Sequence, residues 1–231
     1  RKFIMKIGII IAMDKEFEHV KKLLSSPKTT VSGIHTFVEG TMGENTVVMS
    51  QCGIGKVNAA IGTCLMAEHY HPDMIISTGV AGGASTILEI QDVVVSTETC
   101  YHDVYCGPEA TFGQVMGMPE KFMSAEDIVE KAASLDCGTT IHKGLIVTGD
   151  WFVDTVDKMR EIASHFPEAM AVDMESAAIA HVCCQRNIPF VSFRIISDIP
   201  LKEGNAQQYA DFWGSMAEKS FNATKALLQS L

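Results

Sequence analysis

Met5-Lys6-Ile7-Gly8-Ile9-Ile10-Ile11-Ala12-Met13-Asp14-Lys15-Glu16 is the stretch whose reading decides the fold. Its first eight residues are almost wholly apolar and rich in isoleucine, which suits a strand covered on both faces. Beyond it, Phe17, Val20, Leu23 and Leu24 recur at helical spacing, and Asp14 stands where an N-cap is expected. Strand, turn and helix in succession form the unit of open α/β sheets, which hold ligands beyond the carboxyl ends of their strands. Glu16 falls there. An acid in a first helical turn also complements the helix dipole, so taken alone Glu16 admits a structural reading.

The same alternation runs along the chain. Residues 36–39 and 46–51 alternate apolar and polar side chains around a turn at 40–45 and read as an antiparallel hairpin. Cys52-Gly53-Ile54-Gly55-Lys56-Val57-Asn58 then leads into a helix through Ala59, Ala60, Cys64 and Leu65. Its glycines permit close backbone approach but match neither a dinucleotide fingerprint nor a phosphate loop. Met74-Ile75-Ile76-Ser77-Thr78-Gly79-Val80-Ala81-Gly82-Gly83 is a second junction of strand and glycine, with backbone N–H groups free to line a small-molecule pocket. Residues 92–96 form a further strand, and residues 97–123 are expected to be a long functional or interfacial loop. Ser124-Ala125-Glu126-Asp127 resembles a capping box before a helix over 128–135. Residues 141–148 make another strand, followed by Gly149-Asp150-Trp151-Phe152-Val153, whose rings suit either stacking on a flat ligand or core packing.

Three acids and one arginine complete the chemistry-bearing set. Residues 171–181 read as a buried helix, small and apolar after Met174, with Asp173 and Glu175 at its mouth as caps or as site groups. Residues 189–198 form an apolar strand with Arg194 inside it and Asp198 at its exit. A buried arginine needs an anionic partner, and an acid at a strand's carboxyl end is placed for chemistry. Residues 205–231 close the chain as one amphipathic helix with Phe212, Met216, Phe221 and Leu227 toward the core. The expected architecture is a mixed, mostly parallel sheet with helices on both faces.

Composition narrows the function classes. A chain of 231 residues suits one domain spanning 1–231, with residues 1–4 as a possible non-native leader before Met5. That leader runs straight into strand-like sequence without a cleavage site, which argues against a signal peptide. No apolar run reaches the length of a membrane span, so a cytoplasmic protein is expected. The net charge of −10 and only four arginines, Arg1, Arg160, Arg186 and Arg194, argue against a nucleic-acid partner. Seven cysteines at irregular spacing fit neither zinc sites nor a disulfide framework, and neither metal nor cofactor is expected.

Taken in order, residues 8–16, Gly53-Ile54-Gly55-Lys56-Val57, Thr78-Gly79-Val80-Ala81-Gly82-Gly83, Tyr101-His102-Asp103, Gly149-Asp150 with Phe152, residues 172–175 and residues 194–198 resemble the 5′-methylthioadenosine/S-adenosylhomocysteine nucleosidases of the nucleoside phosphorylase superfamily. The resemblance is nearly full length. It implies a three-layer α/β/α sandwich with a central mixed β-sheet, and a homodimer whose site borrows partner residues from the 97–123 region. It also implies hydrolysis of the bond between adenine and a 5-thio-substituted ribose. By position, Glu16 would hold the attacking water, Asp198 would protonate adenine N7, and Glu175 would accept hydrogen bonds from the ribose hydroxyls. Met174 would pack beneath the sugar, Phe152 would stack on the base, and the Val153 backbone would read the adenine edge. Arg194 and Ser197 would support the water and Asp198, while Met13, Ile54 and Tyr209 would line the alkylthio side. Val80, with Ala81 and Gly82 beside it in the glycine-rich segment, stands where most relatives carry serine.

Other readings share the scaffold. A phosphorylase would need a cationic clamp for phosphate, and Arg194 is the one arginine expected near the pocket. A hydrolase of another purine nucleoside or a non-catalytic nucleoside-binding protein also fits the fold. A mere binder has no need of both Glu16 and Asp198.

Overall fold

The computed structural model describes residues 4–202 and 204–231. Most of the proposed leader, Arg1, Lys2 and Phe3, lies outside the described residues. Strand β1 (Lys6–Ile11) turns into helix α1 (Asp14–Lys21), as its sequence requires. Ile7, Ile9 and Ile11 pack into one apolar cluster while Ile10 packs into another, so both faces of β1 are covered. Three antiparallel strands follow, β2 (Ser25–Ser32), β3 (His35–Met42) and β4 (Asn45–Gln51). Helix α2 (Lys56–Tyr70) leads to β5 (Met74–Gly83), β6 (Val93–Tyr101) and the short β7 (Phe122–Met123). The chain then alternates α3 (Glu126–Ala133), β8 (Ile141–Thr148), α4 (Val156–His165), β9 (Ala169–Asp173), α5 (Ser176–Arg186) and β10 (Phe190–Asp198). It ends in α6 (Asn205–Asp211), a π-helical turn (Phe212–Met216) and α7 (Ala217–Ser230).

The sheet runs β10-β6-β8-β9-β5-β1-β4-β3-β2, and β10 also pairs with β5. That extra pairing closes β5, β9, β8, β6 and β10 into a ring, with the remaining strands extending from one side. Parallel pairs such as β1–β5, β5–β10 and β6–β8 are mixed with antiparallel ones such as β10–β6 and β5–β9, so the sheet is less parallel than the alternation suggests. Helices α2 and α5 pack on each other over one face, while α1, α3 and α7 cover the other.

Several boundaries differ from the sequence reading for local reasons. Met13, not Asp14, occupies the N-cap position of α1, and Asp14 instead accepts a hydrogen bond from Gln51. No side chain caps α3, because Ser124 turns away to bond with Ser96. The 97–123 region is strand as far as Tyr101, since β6 continues alongside β8 after a bulge near Glu98. Residues 171–173 belong to β9 and not to the helix that follows. Phe212, Phe221 and Leu227 are buried as expected, but the π turn interrupts the closing helix.

Candidate active site

The carboxyl ends of β1, β5, β9 and β10 meet at one cleft of about 630 Å³. Glu16 is in the first turn of α1, where the Met13 N–H donates to one carboxylate oxygen at 3.1 Å. Its other oxygen accepts from the Val80 N–H at 2.8 Å, which ties α1 to the glycine-rich end of β5. Gly79 makes this approach possible. A Cβ there would come within 2.5 Å of Glu16 Oε1 and 2.8 Å of Arg194 Nη1. The glycine thus lets acid and guanidinium close over the strand.

Strand β10 is buried along its whole length and carries Arg194 inward. The guanidinium lies 2.9 Å from Asp173 and 3.7 Å from Glu175, and it donates to Ser77, Ser176 and Ser192. Asp173 in turn accepts from the Ser176 hydroxyl, from Thr148 at 2.6 Å, and from the Glu175 and Ser176 N–H groups. Glu175 accepts from the Gly55 N–H at 3.0 Å. Three carboxylates therefore share one guanidinium behind the cleft wall. Burial raises the Glu16 pKa, with Arg194 opposing it. Burial likewise lifts Glu175 to about 7, again against Arg194, with the charge of Asp173 adding to the rise.

Asp198 ends β10 and is also buried, but its surroundings differ. The Ser197 hydroxyl donates to it at 2.7 Å, and Asn205 hydrogen-bonds to it as well. Burial raises its pKa, and these two hydrogen bonds only partly offset the rise. Asn205 also donates to the Val153 carbonyl at 3.3 Å, linking Asp198 to the opposite wall. That wall carries Phe152, half exposed, edge-on to Tyr209 at 5.6 Å. The Tyr209 hydroxyl reaches the Met13 sulfur at 3.7 Å.

Glu16, Glu175, Asp198, Met13, Ile54, Val80, Ala81, Gly82, Phe152, Val153, Met174, Ser197 and Tyr209 all line the cleft. Arg194 does not: it sits one layer behind, against the carboxylates. Asp173 is the group the sequence reading undervalued, and Trp151 and Val172 line the cleft beside it. A signal for Asp173 existed, because a buried arginine demands an anion and Asp173 precedes Glu175 by two residues. Asn205 carried no such signal, being one polar residue at the start of a helix.

The phosphorylase superfamily model matches residues 6–229. A 5′-methylthioadenosine/S-adenosylhomocysteine nucleosidase of Exiguobacterium sp. is 41% identical over 211 residues, covering 87% of this chain and 88% of the relative. The Neisseria meningitidis enzyme of that name, solved with methylthio-immucillin-A, superposes with a TM-score of 0.92 at 35% identity, covering 99% of this chain and 100% of the other. Its Colwellia psychrerythraea counterpart, solved with adenine, gives 0.91 at 34% identity, covering 99% and 96%. The chain belongs to the phosphorylase superfamily and, within it, to the 5′-methylthioadenosine/S-adenosylhomocysteine nucleosidases.

Proposed function

We propose that this enzyme hydrolyses the N-glycosidic bond of 5′-methylthioadenosine and S-adenosylhomocysteine, releasing adenine and the 5-thio-substituted ribose. The observation that carries the reading is the lining of the cleft: Glu16, Asp173, Glu175 and Asp198 contribute carboxyl groups, and no lysine, arginine or histidine joins them among the described residues. Cleaving this bond builds positive charge on the ribose and negative charge on the leaving base, so both ends need stabilisation. Glu16 holds the attacking water and takes its proton as oxygen adds to the sugar carbon. Asp198 gives its proton to adenine N7 as the bond to N9 breaks. Glu175 accepts hydrogen bonds from the ribose 2′- and 3′-hydroxyls, and Met174 packs beneath the ring. Phe152 stacks on the base while the Val153 backbone meets its edge, with Ile54, Met13 and Tyr209 around the alkylthio group. Arg194 acts from behind, keeping Glu16 and Glu175 ionisable, and Ser197 orients Asp198.

A phosphorylase needs a cation to hold its anionic nucleophile, and among the described residues the lining offers none. Incubation with methylthioadenosine, S-adenosylhomocysteine, adenosine and inosine, with and without phosphate, tests the reading. Adenine should appear from the thio-nucleosides without phosphate. Release only with phosphate overturns the hydrolase reading, and no release from any of them favours a binding protein.

The whole chain is read as one catalytic domain that works as a homodimer, a state supported by exposed apolar side chains at Val57 and Ile61 on α2 and at Tyr105 and Met116 in the loop before β7. Sedimentation analysis checks the dimer. A cytoplasmic location, a role in methionine salvage and the absence of a nucleic-acid partner complete the proposal.

A further inference from the structure

Three charged residues close to the cleft take no part in lining it: Lys56, Asp103 and Asp150. The Lys56 ammonium donates to both carboxylate oxygens of Asp103 at 2.7 Å. One of those oxygens also accepts from the Asp150 N–H at 2.8 Å, and Asp150 Oδ1 accepts from the Lys56 N–H at 2.8 Å. That N–H opens α2 and would otherwise be an unsatisfied helix donor. The cluster joins three loops at one end of the sheet, those after β4, β6 and β8. Its ion pair is partly exposed, with Lys56 at 22% and Asp103 at 28%, and such pairs contribute little to stability.

Position gives the cluster its significance. The residue before Lys56 is Gly55, with φ of 95°, a conformation that side chains other than glycine rarely adopt. A Cβ on Gly55 would lie 3.0 Å from Asp150 Oδ1, so Asp150 holds this glycine at close quarters. The Gly55 N–H is the donor that reaches Glu175 at 3.0 Å. Two residues beyond Asp150 comes Phe152, and Ile54 precedes Gly55; both line the cleft. One cluster therefore fixes a donor to the sugar-side carboxylate and the loop that carries the aromatic wall.

We propose that Lys56, Asp103 and Asp150 form a positioning triad that sets Glu175 and Phe152 for the reaction, without touching substrate. The inference rests on the hydrolase reading above. Around Glu175 the charged and titratable groups are Arg194 from β10, Asp173 from β9, Glu16 from α1 and Cys52 ahead of the same loop. Lys56 pairs with Asp103 and Asp150 and not with any of these groups, so its alteration reaches Glu175 through the Gly55 donor. A carboxylate that loses an N–H donor titrates at higher pH.

The test compares Lys56→Met, Asp103→Asn, Lys56→Arg and Lys143→Met, the last breaking the exposed pair of Lys143 with Glu130 on the far side of the fold. For each, kcat and KM on methylthioadenosine are measured across pH, with melting temperature, assembly state and calorimetric binding of adenine. Lys56→Met and Asp103→Asn should lower kcat/KM by about 10- to 100-fold, the scale of a small misplacement away from the chemistry. They should also move the acid limb of the profile to higher pH and weaken adenine binding. Lys56→Arg should restore most of the rate, and Lys143→Met should match the unmodified enzyme. An unmoved acid limb, or losses that follow melting temperature or assembly alone, overturns the proposal. Phosphate-independent turnover by the unmodified protein tests the hydrolase reading separately, and adenine binding reads the aromatic wall even without turnover.

Discussion

At one end of the cleft Glu16, Asp173 and Glu175 crowd around the single guanidinium of Arg194; at the other, Asp198 is buried with Ser197 and Asn205 as its partners. Burial pushes the Glu16, Glu175 and Asp198 pKa values up alike. The contrast lies in what opposes it. Arg194 pulls Glu16 and Glu175 back toward ionisation, whereas no cation among the described residues does so for Asp198. On the proposed mechanism, placing one arginine on β10, four residues before the acid that ends it, separates groups that accept protons from a group that donates one. Pairs of titratable groups pushed apart by their surroundings are how acid and base roles are divided in many sites.

The sharpest way to break this comparison is at its Asp198 end. Asp198→Asn keeps the size and the hydrogen-bonding reach but has no proton to give. We expect kcat to fall by about 10²- to 10⁴-fold, the usual contribution of a general acid, with adenine affinity little changed. Near-normal turnover would remove Asp198 from the acid's role and leave its raised pKa a consequence of burial only. The basic limb of the pH-rate profile should report the same group, since activity is lost once Asp198 is ionised.

At the charged end, Asp173→Asn asks how Arg194 is shared. Asp173 raises the Glu175 pKa, so its neutralisation should move the acid limb to lower pH. Arg194 should also shift once its 2.9 Å partner is gone, costing about 10- to 100-fold in kcat. A limb that moves to higher pH instead would mean that Asp173 holds Arg194 in reach of Glu175 more than it competes for it.

Asp173 also marks how much of the fold and site is legible in the sequence. The continuous apolar runs of β1, β5 and β10 announce themselves because both faces are covered, and the acids at their ends stand out against that background. Strand β2 gives no such signal, since every one of its residues is exposed and it is itself an edge of the sheet, paired only with β3. The run from Ala171 is equally small and apolar as strand and as helix, so its division at Asp173 comes from pairing with β8 and β5. Glu16, Glu175 and Asp198 could be picked out by type and position. The place of Arg194 behind the cleft and not in its lining, and the double duty of Asn205, could not, because each depends on which neighbour the fold brings alongside.

Stability should carry the same contrast. Glu175 titrates at about 7 in the fold against an ordinary 4.5. The folded state therefore binds the extra proton, and the associated stability, complete below 4.5, is lost as pH rises through 7. Glu16 and Asp198 are shifted in the same direction. We expect the melting temperature of the ligand-free enzyme to fall between about pH 4.5 and 7, a window set by the Glu175 shift, and Glu175→Gln to flatten that fall only in part. A flat profile in the unmodified protein would show that Arg194 offsets burial completely.

The smallest change probes the seam between the two ends. Val80 gives its N–H to Glu16 while its side chain lines the cleft and packs against the core below β5. Val80→Ser keeps that backbone bond, gives up apolar packing and brings a hydroxyl to the sugar end. One net hydrogen bond is worth about 0.5–1.5 kcal/mol, so KM for methylthioadenosine should fall by about 3- to 10-fold, with a small loss of thermal stability. A hydroxyl that donates to Glu16 favours its ionised form, and the acid limb should then move slightly to lower pH. If KM improves while the limb stays put, the new hydroxyl meets the ribose and not Glu16. The charge balance around Arg194 is then already complete without a side-chain donor at position 80.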